Sequence, residues 1–319
     1  MLLSKMKDGL IGLSVGDALG VPVKFCTRDT LRREPVKDMR AYGTFVQPAG
    51  TWSFSTAATL AVMDSLVHGF SPADMLKRLN NWEQKGAYTP YGQAFDEGKT
   101  THLALERFRG GANLQKCGGA RDSDNEDSAL TRMLPLAFWL YPQAGVNLAD
   151  SASALEMIRQ AVVITHAHPR SYVACVFFVC IAECLLAGMP VHSAVRLGVL
   201  NTVKGLMDGP EVETLNSFTR LADVDTFRFL SESEFVTDGD AAHTLEAALY
   251  CLLSTDSYAA CVRKAVSLGQ STDTTAATAG ALAGIAYGQA SIPAAWRLAI
   301  PGRGEMEELC GRLYDQIVQ

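Results

Sequence analysis

Apolar residues recur at helical spacing along most of this chain, and strand-like alternation is nearly absent. In the first half the pattern predicts helices over 2–19, 57–68, 72–85, 99–108 and 128–140. Pro22 stops the first of these, and Ser71-Pro72 supplies an N-cap followed by a proline in the first turn. The second half is read as almost wholly helical: 149–164, 171–186, 191–206, 211–221, 243–253, 258–268, 274–287 and 305–318. Only 227–236 reads as a short extended piece. Between helices, 28–46 is mixed and loop-like, 47–52 is a turn, 86–98 is turn-rich, and 110–127 is a polar loop. That loop carries an acidic cluster, Asp122, Asp124, Glu126 and Asp127, read as solvated.

With 48% hydrophobic residues over 319 positions, the chain can bury a large core. No repeat, linker or low-complexity segment divides it, so the expectation is one compact all-α domain over 1–319, a multi-helix bundle. The net charge of −6 and the lack of a basic patch argue against a nucleic-acid partner. The most apolar run, 172–186, is broken by Glu183 and is short for a membrane span. It reads as a buried central helix, and no membrane association is expected. Eight cysteines show neither CxxC nor Cys/His zinc spacing, and residues 1–11 have no signal-peptide character. Reduced core thiols and a cytoplasmic location are expected.

The densest candidate chemistry is Gly269-Gln270-Ser271-Thr272-Asp273-Thr274-Thr275, a polar turn feeding a helix of small residues. Hydroxyls and a carboxylate at a helix N-terminus suit a cap, and equally a cation or phosphate site. Read as structure alone, it is a capped helix with Asp273 complementing the dipole.

Several separated segments, in order, resemble the ADP-ribosylglycohydrolase family. Gly9 to Val23 is similar to its opening helix, and Gly50-Thr51-Trp52-Ser53 leads into its metal-binding helix. Phe95-Asp96-Glu97-Gly98 and Thr165-His166-Ala167-His168-Pro169 match its pocket loops. Thr244 to Leu249 and Thr272-Asp273-Thr274-Thr275-Ala276 match its last helices. The resemblance implies an all-α fold built around two magnesium ions, and cleavage of ADP-ribose from a modified side chain.

The same comparison shows substitutions at the matching positions. Where the family has two carboxylates after Trp-Ser, this chain has Phe54 and Ser55. A glutamate of the first motif is Lys24, the first aspartate of the last motif is Ser271, and the family's glycine-rich pocket loop is Glu126 to Arg132. Of five expected carboxylates only Asp273 remains. Ser53, Ser55, Ser271, Thr272 and Thr274 offer neutral oxygens, and Phe54 offers none. Two dications close together need several shared carboxylates, so neither magnesium nor any other cofactor is expected. Lys24 either takes the vacated cation position and pairs with Asp273, with Ser53, Ser271 or Thr272 serving its other protons, or points to solvent. Asp96 either accepts ribose hydroxyls or caps the helix at 99, and His166 either lies near a ligand or caps backbone. His166 and His168 lack a third residue for a metal. No catalytic residue is assigned. The expected function is a binding or regulatory protein on a hydrolase scaffold, with a small ADP-ribose-like ligand or a protein as partner. The alternative is a hydrolase with a metal-poor mechanism using Asp273 or Asp96 with His166; a plain structural subunit is a third possibility.

Overall fold

The computed structural model describes residues 1–318. Fifteen α-helices follow one another: α1 Leu2–Gly20, α2 Arg28–Arg33, α3 Phe54–Leu66, α4 Pro72–Lys85, α5 Lys99–Arg109, α6 Leu134–Ala144, α7 Ala152–Val163, α8 Pro169–Leu186, α9 Val191–Leu206, α10 Val224–Phe227, α11 Ala241–Leu253, α12 Tyr258–Ser267, α13 Thr272–Tyr287, α14 Ala294–Ala299 and α15 Arg303–Val318. The all-α class is therefore as expected. Among the described residues the only β pairing is two isolated bridges, Gly119 with His166 and Glu126 with Asp240.

Helices that are apolar all round sit at the centre, because no face can be left to water. In α8 every residue from Ser171 to Leu186 is buried, and in α13 every residue from Thr272 to Ile285. By length and composition α8 could cross a membrane, yet 89% of it lies inside the fold. All eight cysteines are unpaired, and all but Cys26 are buried.

The contact that positions the site is α1 against α13. A Cβ added at Gly12 would lie 2.3 Å from the Gly280 carbonyl oxygen, and one at Gly16 would lie 2.1 Å from that of Ala276. The backbones therefore touch, and only glycine permits it. Tyr258 donates to the Gly12 carbonyl at 2.6 Å, and Thr272 Oγ1 to that of Gly20 at 2.8 Å. The first turn of α13 is thus fastened to the last turn of α1, just before the segment that carries Lys24.

Four local expectations are corrected. Residues 28–46 are not all loop: Thr27 accepts from the Thr30 amide and starts α2. Residues 128–133 form 3₁₀ turns, and α6 begins only at Leu134, with Pro135 in its first turn. The stretch Thr214–Ala222 is 3₁₀ rather than α, kinked at Phe218. Residues 227–236 hold no strand, since Phe227 ends α10 and Ser231 caps a short 3₁₀ turn.

Two tests follow from this packing. Gly16→Ala must push the α13 backbone away, so it should lower stability by roughly 1–3 kcal/mol in chemical denaturation. A loss no larger than that of a surface Gly→Ala change would disprove the contact. The second concerns Glu183, fully buried in α8 with neither carboxyl oxygen bonded among the described residues. Burial pushes its carboxyl up from 4.5 to about 9. Between those values the unfolded chain releases a proton that the folded chain keeps. Stability should then fall as pH rises, by up to about 1.4 kcal/mol per unit from this group. Glu183→Met should gain on the natural protein more at pH 8 than at pH 5. A pH-independent difference would show that the carboxyl is solvated or paired.

Candidate ligand site

The C-terminal end of α1, the N-termini of α3 and α13, and the loops before α5 and α6 enclose one cleft of about 340 Å³. Lys24, Phe54, Ser55, Asp96, Ser271 and Thr274 line it, joined by Glu126, Asp127 and Ser128. Six of the residues singled out from sequence thus share one wall. Asp273 lies directly behind Lys24 and is fully buried.

The Lys24 ammonium is 3.0 Å from Asp273 Oδ2 and 2.5 Å from Asp96 Oδ2, with only 11% of its side chain exposed. The expected ion pair to Asp273 is present. The hydroxyls expected to serve its other protons do not. Ser53 Oγ donates to Asp17, Ser271 Oγ to Asp127, and Thr272 Oγ1 to the Gly20 carbonyl. Asp96 supplies the second partner instead. It does not cap α5, whose N-cap is Gly98, and its backbone is left-handed at φ +68°.

Burial works against the charge on Lys24, but Asp273, Asp96 and Asp127 outweigh it and raise its pKa above 10.5. Burial also works to raise Asp273, yet Lys24 and hydrogen bonds hold it below its ordinary value. Asp96 is pushed well up, first by burial and then by Asp273. One ammonium thus balances one carboxylate fully, and the second carboxyl of the pair keeps its proton more tightly.

Two further carboxyls surround this pair. Asp17 accepts from the amide and hydroxyl of Ser53, and from the amide and hydroxyl of Thr56 at 2.9 and 2.6 Å. It closes the N-terminus of α3 from α1, and no role was assigned to it from sequence. The available signal was an aspartate inside an otherwise apolar helix, which buries only with dedicated donors. Burial, then Asp273, raises it to about 7. Asp127 is likewise raised to about 7, chiefly by burial. The acidic loop was read as solvated, and that is corrected. The Asp127 amide bonds the Gly239 carbonyl at 2.8 Å, which turns the side chain inward to Thr244 and Ser271. Asp124 is buried too, in a two-point pair with Arg121, whereas Asp122 stays exposed.

The capped-helix reading of α13 is also corrected. Its N-cap Ser271 makes no side-chain cap bond, because its hydroxyl goes to Asp127. His166 is buried, with its ring nitrogens 2.7 Å from the Thr165 hydroxyl and 3.2 Å from that of Ser128. Burial, and then the buried Arg132, hold it down at about 3, so it is neutral and caps no backbone. His168 does cap, accepting from the Arg170 amide.

Does this site suit a pair of magnesium ions? It does not. The ammonium already occupies Asp273, the one carboxylate left at the positions that the resemblance gives to metal ligands, and pairs with Asp96 as well. Phe54 packs its ring 4.7 Å from that of Trp82, where an oxygen ligand would be needed. Elsewhere, Glu83, Glu97 and His102 bring potential ligand atoms within 4.8 Å of one another, but Arg109 and His102 already pair with Glu83.

If Lys24 and Asp273 depend on each other, Lys24→Met should lose about 3–5 kcal/mol by stranding a buried charge. Adding Asp273→Asn should restore much of that loss. Urea melts of the two single variants and the double variant decide it, and strictly additive losses would refute the coupling.

Comparison with known proteins places this geometry. The whole chain, residues 1–319, matches the family described as ADP-ribosylglycohydrolase. ADP-ribosylarginine hydrolase Tri1 of Serratia proteamaculans is 29% identical over 297 residues, covering 92% of this chain and 74% of that protein. The protein of the same name in Pseudomonas putida is 28% identical, covering 99% and 80%. The ADP-ribosyl-[dinitrogen reductase] glycohydrolase of Rhodospirillum rubrum is 26% identical, covering 90% and 86%. A solved structure described as an ADP-ribosylglycohydrolase-related protein complex superposes with a TM-score of 0.77 at 26% identity, covering 99% of this chain and 98% of that one. The chain belongs to the ADP-ribosylglycohydrolase family.

Proposed function

We propose that this chain is a non-hydrolysing member of its family, a binding or regulatory protein in which a lysine replaces the cation at the centre of the site. The observation that carries this reading is the Lys24 ammonium held between Asp96 and Asp273. A fixed ammonium offsets carboxylate charge, but it has no open coordination position and cannot activate a bound water as a dication does. The residues at the metal-helix positions, Phe54 and Ser55, supply no carboxylate. A metal-poor hydrolysis through Asp96 or Asp273 with His166 is disfavoured by the imidazole's surroundings. Both of its nitrogens are engaged by hydroxyls, and it does not line the cleft. The relatives' hydrolase names describe those proteins, and a shared fold does not carry the activity across.

The test is turnover of an ADP-ribosylated arginine peptide with millimolar magnesium, followed by release of free ADP-ribose. No release above the buffer control is expected. Magnesium should also leave the melting temperature unmoved, whereas an ion at one hundred times its dissociation constant would stabilise by about 2.7 kcal/mol. Steady release, or a clear magnesium-dependent rise in the melt, would mean that the remaining oxygens suffice and would overturn the reading.

A further inference from the structure

His102 keeps different company from the other histidines that meet acids. His168, His192 and His243 each pair with one aspartate, Asp122, Asp225 and Asp238 in turn. His102 has three glutamates around its ring. Its Nδ1 is 2.8 Å from Glu83 Oε1 and 3.7 Å from Glu97 Oε1, and its Nε2 is 3.6 Å from Glu106 Oε1. These acids come from separate places. Glu83 lies in the last turn of α4, Glu97 in the loop before α5, and Glu106 one turn after His102 on α5. Among the described residues, Glu83, Glu97 and His102 form the one group whose potential ligand atoms all lie within 4.8 Å of one another.

The spacing at Nδ1 is that of a metal shell. Zinc holds imidazole nitrogen and carboxylate oxygen at about 2.1 Å, which sets neighbouring tetrahedral ligands about 3.4 Å apart. The separations of 2.8 and 3.7 Å bracket that value. The outer groups are in place as well. Arg109 and Gln84 take Glu83 Oε2, so Oε1 meets the imidazole alone. Glu106 stands at the far nitrogen, where a carboxylate fixes the tautomer that leaves Nδ1 bare for an ion. Without an ion the group is short of positive charge. A neutral imidazole has one N–H and cannot serve acids at both nitrogens, and a protonated one offers a single charge to three. A dication at Nδ1 serves Glu83 and Glu97 together and leaves the ring proton to Glu106. An imidazole beside carboxylates suits zinc and similar transition metals, whereas magnesium prefers an all-oxygen shell.

We infer that Glu83 Oε1, Glu97 Oε1 and His102 Nδ1 bind one zinc-like divalent transition-metal ion, with water completing the shell. The ion replaces the direct contact between the imidazole and Glu83, and it ties the loop before α5 to the end of α4. That loop also carries Asp96, the partner of Lys24, so adjacent residues turn to two different centres. Neither the three ligands nor Glu106 lines the central cleft. The site is therefore separate from the Lys24 centre and stands whether or not the chain hydrolyses.

Calorimetry of the full chain, stripped with a chelator and titrated with zinc chloride, tests this. One ion should bind per chain, and far more tightly than magnesium. Affinity should fall from about pH 7.5 to about pH 5.5, as protons compete for the imidazole. The zinc-loaded chain should also melt at a higher temperature than the stripped one. His102→Ala and Glu97→Gln should each weaken zinc by at least about tenfold. His243→Ala, which removes a pairing with one acid only, should leave zinc affinity unchanged. Among the described residues the Glu97 side chain meets no charged group but His102, so Glu97→Gln still decides the matter if His102→Ala fails to fold. No zinc binding, unchanged affinity in Glu97→Gln or in a folded His102→Ala, or magnesium bound as tightly as zinc would overturn the proposal.

Discussion

Four carboxyl groups, Asp17, Asp96, Asp127 and Asp273, gather where α1, α3 and α13 meet, and their charge has to be offset at positions with little exposure to water. Each finds a different solution. Asp17 is surrounded by the amides and hydroxyls that open α3. Asp127 takes two hydroxyls, Asp273 takes an ammonium, and Asp96 shares that ammonium. In low dielectric an unmatched carboxylate is far more costly than a missing apolar contact, so these partners are tightly specified. The Lys24 ammonium offsets the charge of Asp273 and Asp96 from within the chain itself.

That centre is only as well placed as the helices that bring it together. The glycine face of α1 lets α13 approach to backbone contact, and this sets the first turn of α13 beside the end of α1. A bulkier helix face would separate Lys24 from Asp273. The charged centre and the small-residue seam therefore constrain each other: the seam fixes the distance, and the ion pair ties the polar ends together where apolar packing stops.

The chain keeps its family's fold, and a shared fold leaves the local chemistry to be decided by a few residues. Lys24, Phe54, Ser55 and Ser271, the positions that the resemblance marks as substituted, all line one cleft.

Periodicity alone determined the helical class, most helix positions and the buried character of α8, which depend on local spacing that a sequence displays directly. That Lys24 and Asp273 share one centre was implied by the family resemblance, and the tertiary structure decided between the ion pair and a solvent-facing lysine. The helix at Arg28–Arg33 is not visible in the pattern, because five polar residues with one buried leucine carry almost no period. The partners of charged groups were not legible either. Asp96 in place of Ser53 beside Lys24, Asp17 as the cap of α3, and Asp127 turned inward from an acidic loop all join residues far apart in the chain. Which donor a buried carboxylate meets is decided by where packing places the backbone, to within a fraction of an ångström, and no local pattern encodes that distance.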